Sequence, residues 1–417
     1  MSSRYDAVVI GGGPGGFSTA TYLARSGHRV LVLEKERFPR FKIGESLLPY
    51  SRAILEELGV WPKLQGRGFP VKRGAQFHLG DGSKSLKFVF AEGRFTKHTE
   101  IMQVERSVFD EVLLNHAAEC GAEVRQGWTV NRFEDRGDHL VVAATSDRGE
   151  TGEIQARYLI DASGRANLTG NQENLREYYP NHRKLAVFGH FHGVRRDEGP
   201  KASDIIIVRL ANKWFWLIPI SPDKTSVGCV MEKDEFNAAK EAPDVSFNRI
   251  VQSSVAMRER MAGARLLGTM QTTADFSCFN RRLVGPRLLR VGDAAGFMDP
   301  IFSAGVHLAL WSGKLASEVV AASLPNERAY DRLARRYEQR VFAGMKKYWE
   351  LVERFYTTPF MEVFMEPRAK WGIAAAVNAM LAGDIEGGWH LHWRLRAFYW
   401  LVRLQAKRPF MPRIAFE

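Results

Sequence analysis

The strongest constraint on this chain lies in its first 34 residues. Tyr5 to Ile10, YDAVVI, is an apolar run with the character of a buried strand. Gly11, Gly13 and Gly16 then form G-x-G-x-x-G at the mouth of a helical stretch, Pro14 to Ser26. A second apolar run, Arg29 to Leu33, ends at Glu34. This order predicts a βαβ unit that binds a dinucleotide. Its glycines allow a tight turn and close backbone approach to a pyrophosphate. A carboxylate 18 residues past Gly16 can accept hydrogen bonds from ribose hydroxyls. The fold class is therefore α/β, with a Rossmann-like nucleotide domain.

The rest of the chain divides around that unit. Phe41–Pro49 reads as a loop before a helix, Ser51–Leu58. Phe69–Phe77 starts a strand, and Gly80-Asp81-Gly82 turns it into Ser85–Phe90. Val104–Glu119 is a strand end followed by an amphipathic helix. Ala122–Phe133 and His139–Ala144 read as antiparallel strands. Tyr158–Ile160 is a buried strand closed by Asp161-Ala162-Ser163-Gly164. From Leu185 to Val230 four alternating runs, LAVFGHFHGV, DIIIVRL, WFWLIPI and SVGCV, predict an inserted antiparallel sheet, the substrate layer. Phe247–Met261 reads as one helix. The expected organisation is a discontinuous nucleotide domain over 1–180 and 265–325, a substrate layer over 181–264, and a helical region over 326–417 that covers the substrate side. That last region is rich in aromatics, and Trp349, Trp371, Trp389, Trp393 and Trp400 are expected to pack over the sheet.

A candidate anion site lies at Leu289–Leu308, a stretch that also reads as an ordinary turn and helix of an α/β protein. A short apolar run ends at Gly292-Asp293, and Gly296, Pro300 and Gly305 restrict or free the backbone. Ser303 is expected to cap a helix that begins at Ala304. Exposed N–H groups at a helix start favour an anion. Charge points the same way: 59 basic against 47 acidic residues leave a formal +12, much of it late, at Arg394, Arg396, Arg403, Lys407, Arg408 and Arg413. Such a balance suits an acidic partner or an anionic surface. No zinc module or RNA-binding aromatic signature accompanies it, so nucleic acid is not expected. Three cysteines without metal spacing and no signal peptide fit a cytoplasmic protein without a metal. Apolar segments such as Trp371–Met380 are too short for a transmembrane span.

Four blocks occur in the order of a known group. GGGPGG with Glu34, GESLLP at Gly44–Pro49, Asp161–Gly164 and Gly292-Asp293-Ala-Ala resemble the FAD oxidoreductases that include aromatic hydroxylases. That resemblance implies FAD rather than NAD. Two narrower blocks resemble the flavin-dependent halogenases. These are Trp214–Pro219 as W-x-W-x-I-P, and Phe297, Pro300, Ser303 and Gly305 as F-x-x-P-x-x-S-x-G. Gly68–Phe77 also resembles the segment that carries this family's active-site lysine, here Lys72.

The resemblance implies an enzyme of secondary metabolism. A separate flavin reductase supplies reduced FAD, which with oxygen converts chloride or bromide to hypohalous acid. Lys72 holds this oxidant, by hydrogen bond or as a haloamine, and an electron-rich aromatic takes the halogen. FAD contacts are implied for Gly11, Gly13, Gly16, Glu34, Lys35, Gly44, Ser46, Arg106, Asp161, Gly164, Gly292, Asp293, Pro300 and Val306. The backbone amides of Ala304 and Gly305 are implied halide donors. Trp214, Trp216 and Pro219 are implied to separate substrate from flavin. Tryptophan halogenases carry a glutamate just before Ser-x-Gly, and here that position is Phe302. The Asp-Pro-Ile-Phe-Ser form resembles the branch acting on pyrroles and phenols, several of them held on acyl or peptidyl carrier proteins, which are generally acidic. An FAD monooxygenase or a geranylgeranyl-reductase-like enzyme would share the four broad blocks but not the tryptophan pair or the lysine segment. A flavin-binding protein without turnover finds no specific support in the residues.

Overall fold

A computed structural model describes residues 4–180, 182–367 and 370–416. The nucleotide sheet grows from the fingerprint. Tyr5–Ile10 pairs in parallel with Val30–Glu34 on one side and Thr151–Asp161 on the other. Leu288–Arg290 and Glu123–Gln126 extend it, also in parallel. These central strands are buried on both faces, which is why they read as continuous apolar runs. Helix Pro14–Arg25 lies against helix Ala304–Ser323, tied by Ser18 Oγ to the Leu310 carbonyl at 2.8 Å and by Thr19 Oγ1 to that of Gly313 at 3.1 Å. The long helix thus starts beside the fingerprint.

The second sheet has seven strands in the order Arg265–Ala274, Lys184–His192, Lys224–Glu232, Trp214–Pro219, Ile205–Arg209, Gly74–Leu79 and Ser85–Val89. It is wider than residues 181–264. The four runs between Leu185 and Val230 leave two edges whose buried N–H and C=O groups need partners. Gly74–Leu79 supplies one, pairing in parallel with Ile205–Arg209, and Arg265–Ala274 supplies the other. Side chains alternate between the faces. Ala186, Phe188, Trp214, Trp216 and Val230 face the core shared with the nucleotide domain. Val187, Phe215, Leu217 and Cys229 face a separate core with Phe247 and Ile250.

Two local expectations change. Phe247–Met261 is not one helix: Pro243–Ser253 and Val255–Met261 are broken at Ser254, whose extended backbone lets its Oγ accept the Met257 N–H. The C-terminal region is helical, as Tyr330–Phe355, Thr358–Phe364, Ile373–Ala382 and Trp389–Lys407. Its tryptophans, however, do not all pack. Trp349 stacks on Tyr179 with ring centres 3.7 Å apart, but Trp371, Trp389, Trp393 and Trp400 are exposed. Leu391, Leu395, Phe398, Tyr399 and Val402 occupy the inward face of the last helix and leave its tryptophans outside. Among the described residues no helix is long and apolar enough to cross a membrane, and no cluster of His, Cys, Asp or Glu could hold a metal ion.

Candidate active site

The fingerprint turn is a cradle that side chains cannot enter. A Cβ on Gly16 would lie 1.9 Å from the Gly11 carbonyl oxygen. Gly11 itself is left-handed, with φ +97°. Gly13 precedes helix Pro14–Arg25 with no side chain capping it. Glu34, buried at the end of its strand, accepts the N–H groups of Gly12 at 2.7 Å and Glu36 at 2.9 Å. Its remaining lone pairs stay available for ribose hydroxyls. Arg40 approaches this turn from the side, its side chain mostly buried between Glu36 and Asp110. An open glycine turn, an uncapped helix start and a nearby guanidinium fit a pyrophosphate. Lys35 is exposed beside Glu36.

Arg106 sets the next stretch. It grips Asp110 with two hydrogen bonds of 2.8 Å and donates to the Ile43 carbonyl at 2.7 Å. Burial disfavours its charge, but Asp110, with Asp293 and Glu45 contributing, holds its pKa above the usual value. Gly44 is left-handed, and a Cβ there would meet Arg106 at 2.9 Å and Val306 at 3.9 Å. Three residues distant in sequence therefore meet around one gap. Asp293 is near: burial pushes its carboxyl up, while Arg165, Arg106 and Lys42 pull it down.

Lys72 is fully buried, on the two-residue strand Val71–Lys72 that pairs with Ile101–Met102. Its Nζ donates to Ser46 Oγ and to the Leu47 carbonyl, both at 2.9 Å. Phe90 lies 5.7 Å away. Burial pushes the amine down to about 7, partly offset by Asp204. Ser46, expected on the cofactor, is thus bonded to the lysine. The preceding residue, Glu45, is buried and pairs with His190 Nε2 at 2.6 Å. Sequence reasoning did not single out this pair, because only the sheet's folding brings residues 145 apart into contact.

The tryptophans form a fixed wall. Trp214 and Trp216 sit 5.9 Å apart on the inward face. Trp216 donates to Ser226 at 3.2 Å and fills the space over Gly228, where a Cβ would lie 2.2 Å from its ring. Trp214 donates to Tyr356 Oη at 2.8 Å, and Tyr356 donates to Asp299 at 2.8 Å. His182 also contacts Asp299, at 3.0 Å. This chain joins the wall to the loop before helix Ala304–Ser323 and was also missed, since Tyr356 carries no motif. Pro219 ends the wall strand and is buried.

In that loop Asp299 Oδ1 accepts the Ile301 N–H, and Pro300–Phe302 forms a short 3₁₀ turn. Ser303 precedes the helix but does not cap it through its side chain; it is left-handed, with φ +56°. The expected Ser303 cap is therefore replaced by a backbone kink, and among the described residues no side chain caps the first-turn N–H groups of Ala304 and Gly305. A Cβ on Gly305 would meet the Phe297 ring at 3.0 Å. Phe302 packs edge-on against Phe355 at 5.6 Å, so no carboxylate stands there. Asp161 accepts the N–H of Ser163 and both the N–H and hydroxyl of Thr169, which fixes the turn containing left-handed Gly164, and its own carbonyl accepts the Val291 N–H at 2.9 Å, beside the Gly292-Asp293 turn. Gly292 donates its N–H to Ser312 at 2.9 Å, holding Asp293 beside the long helix.

Comparison with known proteins identifies the chain's relatives. A family model described as an FAD binding domain matches residues 4–348. The 1H-pyrrole-2-carbonyl-[peptidyl-carrier protein] chlorinase of Pseudomonas fluorescens is 32% identical over 410 residues, covering 92% of this chain and 90% of that protein. Among solved structures, a flavoprotein/dehydrogenase from Cytophaga hutchinsonii superposes with a TM-score of 0.89 at 26% identity, covering 97% of this chain and 99% of that one. The flavin-dependent brominase Bmp2 superposes with a TM-score of 0.86 at 28% identity, covering 97% of this chain and 100% of its own.

Proposed function

From the premise that this chain belongs to the flavin-dependent halogenases, we propose that it halogenates an electron-rich ring, a pyrrole or phenol, delivered as a thioester on a carrier protein. When bound, reduced FAD and oxygen supply the two-electron oxidation of chloride or bromide to hypohalous acid. A separate reductase provides the reduced flavin. The fingerprint glycines, Glu34 and Arg40 hold the dinucleotide. Gly44, Arg106, Asp293, Pro300 and Val306 border the inner end of its site, and the amides of Ala304 and Gly305 hold the halide.

The observation that carries this reading is the state of Lys72. A neutral amine has two N–H donors, and Ser46 and Leu47 take both. Its lone pair is then free, and a pKa near 7 keeps much of the amine neutral at neutral pH. Such a nitrogen attacks the halogen of hypohalous acid, forming an N–halogen bond and releasing water. The ring then takes the halogen, and the proton it loses restores the amine. Trp214 and Trp216 keep the ring from the flavin, so the oxidant must pass by way of Lys72. The relative's name, which specifies a carrier-bound pyrrole, supports the tethered substrate. So does the positive charge of this chain.

The test is reconstitution with FAD, a flavin reductase, NADH, oxygen and bromide or chloride. The substrates are pyrrole-2-carbonyl on a peptidyl carrier protein and the free acid. Halogenated carrier-bound product, dependent on the reductase, is the expected result. Robust NADPH oxidation by the purified chain alone, with no halogenated product, would favour the dehydrogenase character of the Cytophaga neighbour instead.

A further inference from the structure

Helix Trp389–Lys407 presents one outward stripe: Trp389, Trp393, Arg396, Trp400, Arg403 and Lys407, at spacings of three and four residues. All six are exposed, and among the described residues none of its cations joins an ion pair. Residues 388–416 contain six Lys and Arg and no Asp or Glu. Beside the stripe runs a groove with about 250 Å³ of free space, bordered by Phe88, Trp371, Ile373, Trp400 and Phe410. Exposed large apolar rings in a cluster mark interaction sites, and a row of cations beside them raises the positive potential that steers an acidic partner.

The groove is joined to the Lys72 region through the chain. Phe88 is two residues from Phe90, the ring beside Lys72. Asn378, on the helix flanking the groove, donates to the carbonyl of Val89 at 2.8 Å. We infer that this stripe and groove are the docking surface for the acidic carrier protein that brings the substrate, an inference that rests on the tethered-substrate reading above. The composition is that of a protein interface, where Trp and Arg dominate binding. A membrane-surface helix would turn a continuous apolar face outward. Here that face, Leu391 to Val402, is buried in the core, and arginines stand between the tryptophans on the outer one.

The experiment compares the wild type with Arg396→Glu/Arg403→Glu and with Trp400→Ala, using pyrrole-2-carbonyl-loaded peptidyl carrier protein and the pyrrole-2-carbonyl pantetheine thioester. Both variants change only exposed side chains. We expect KM for the loaded carrier to rise on the order of tenfold in each, with kcat for the small thioester unchanged. The salt dependence of carrier turnover should also flatten in the charge variant. Wild-type KM for the carrier in both variants overturns the surface while leaving the tethered substrate in place. Wild-type turnover of the free acid but not of the carrier overturns the tethered reading and the surface with it. Loss of wild-type binding to phosphatidylserine vesicles in the charge variant, with carrier KM unchanged, overturns it in favour of a membrane.

Discussion

Trp214 and Trp216 are 1% and 3% exposed, and each indole N–H is bonded. Trp371, Trp389 and Trp400 are 72%, 74% and 58% exposed. The same residue type does two different jobs in two regions. On the inner face its ring is matched atom by atom: Gly228 leaves room for Trp216, and Tyr356 anchors Trp214. On the outer surface Trp389 touches only the neighbouring His390 ring among the ring contacts of the described residues, and Trp371 and Trp400 border an open groove. Tight matching indicates a surface completed by folding, and the unmatched row indicates one completed by something else.

If that contrast is right, substitutions inside and outside should differ in kind. The largest effect is expected beside the inner wall. Gly305→Val places a branched side chain against Phe297, where even a Cβ already meets the ring at 3.0 Å. Halogenation should fall by about two orders of magnitude or more, because the Ala304 and Gly305 amides proposed to hold the halide and the Phe297 ring must move apart. FAD binding, measured by flavin fluorescence, should weaken several-fold at most. A normal halogenation rate would place the anion elsewhere.

A paired tryptophan scan sharpens the contrast further. Trp216→Ala should cost about 3–5 kcal/mol in denaturant unfolding, and the protein that stays folded should release peroxide in place of product. Trp400→Ala should change stability by no more than about 0.5 kcal/mol. Equal costs at the two sites would erase the distinction between the regions. Unfolding of Trp216→Ala without any peroxide release from the folded fraction would make the wall structural only.

The βαβ unit was legible because strand, glycine turn, helix and acid lie within 34 consecutive residues, where local rules decide structure. The F-x-x-P-x-x-S-x-G loop and the tryptophan pair stand out in the sequence for the same reason. What stayed hidden depends on chain crossings. Ser46 is assigned to the cofactor through the resemblance of the Gly44–Pro49 block, and in the structure it also accepts a hydrogen bond from Lys72. Its bond to Lys72 needs a strand pairing, Val71–Lys72 with Ile101–Met102, that no local pattern announces. Glu45–His190 and Trp214–Tyr356–Asp299 are contacts of the same kind. The exposed tryptophans were misjudged because composition indicates that a helix is apolar, while only its register indicates which side faces in.

Delivery of halogen by a neutral Lys72 amine is tested by its titration. The free side chain titrates at 10.5 and the buried one at about 7. Because the folded value is the lower, burial of the ammonium weakens the fold below about pH 7, and that penalty is relieved as pH rises from about 7 towards 10.5. The same proton governs delivery, since only the neutral amine can accept halogen. The measurement is halogenated product formed per reduced FAD consumed, from pH 5.5 to 8.5, in the wild type and in Lys72→Ala and Lys72→Arg. We expect a yield that climbs through about pH 7 and then levels, with both variants near zero throughout. A yield that falls as pH rises through 7 would instead make the ammonium the active form. Near wild-type product from Lys72→Ala would remove this lysine from the reaction.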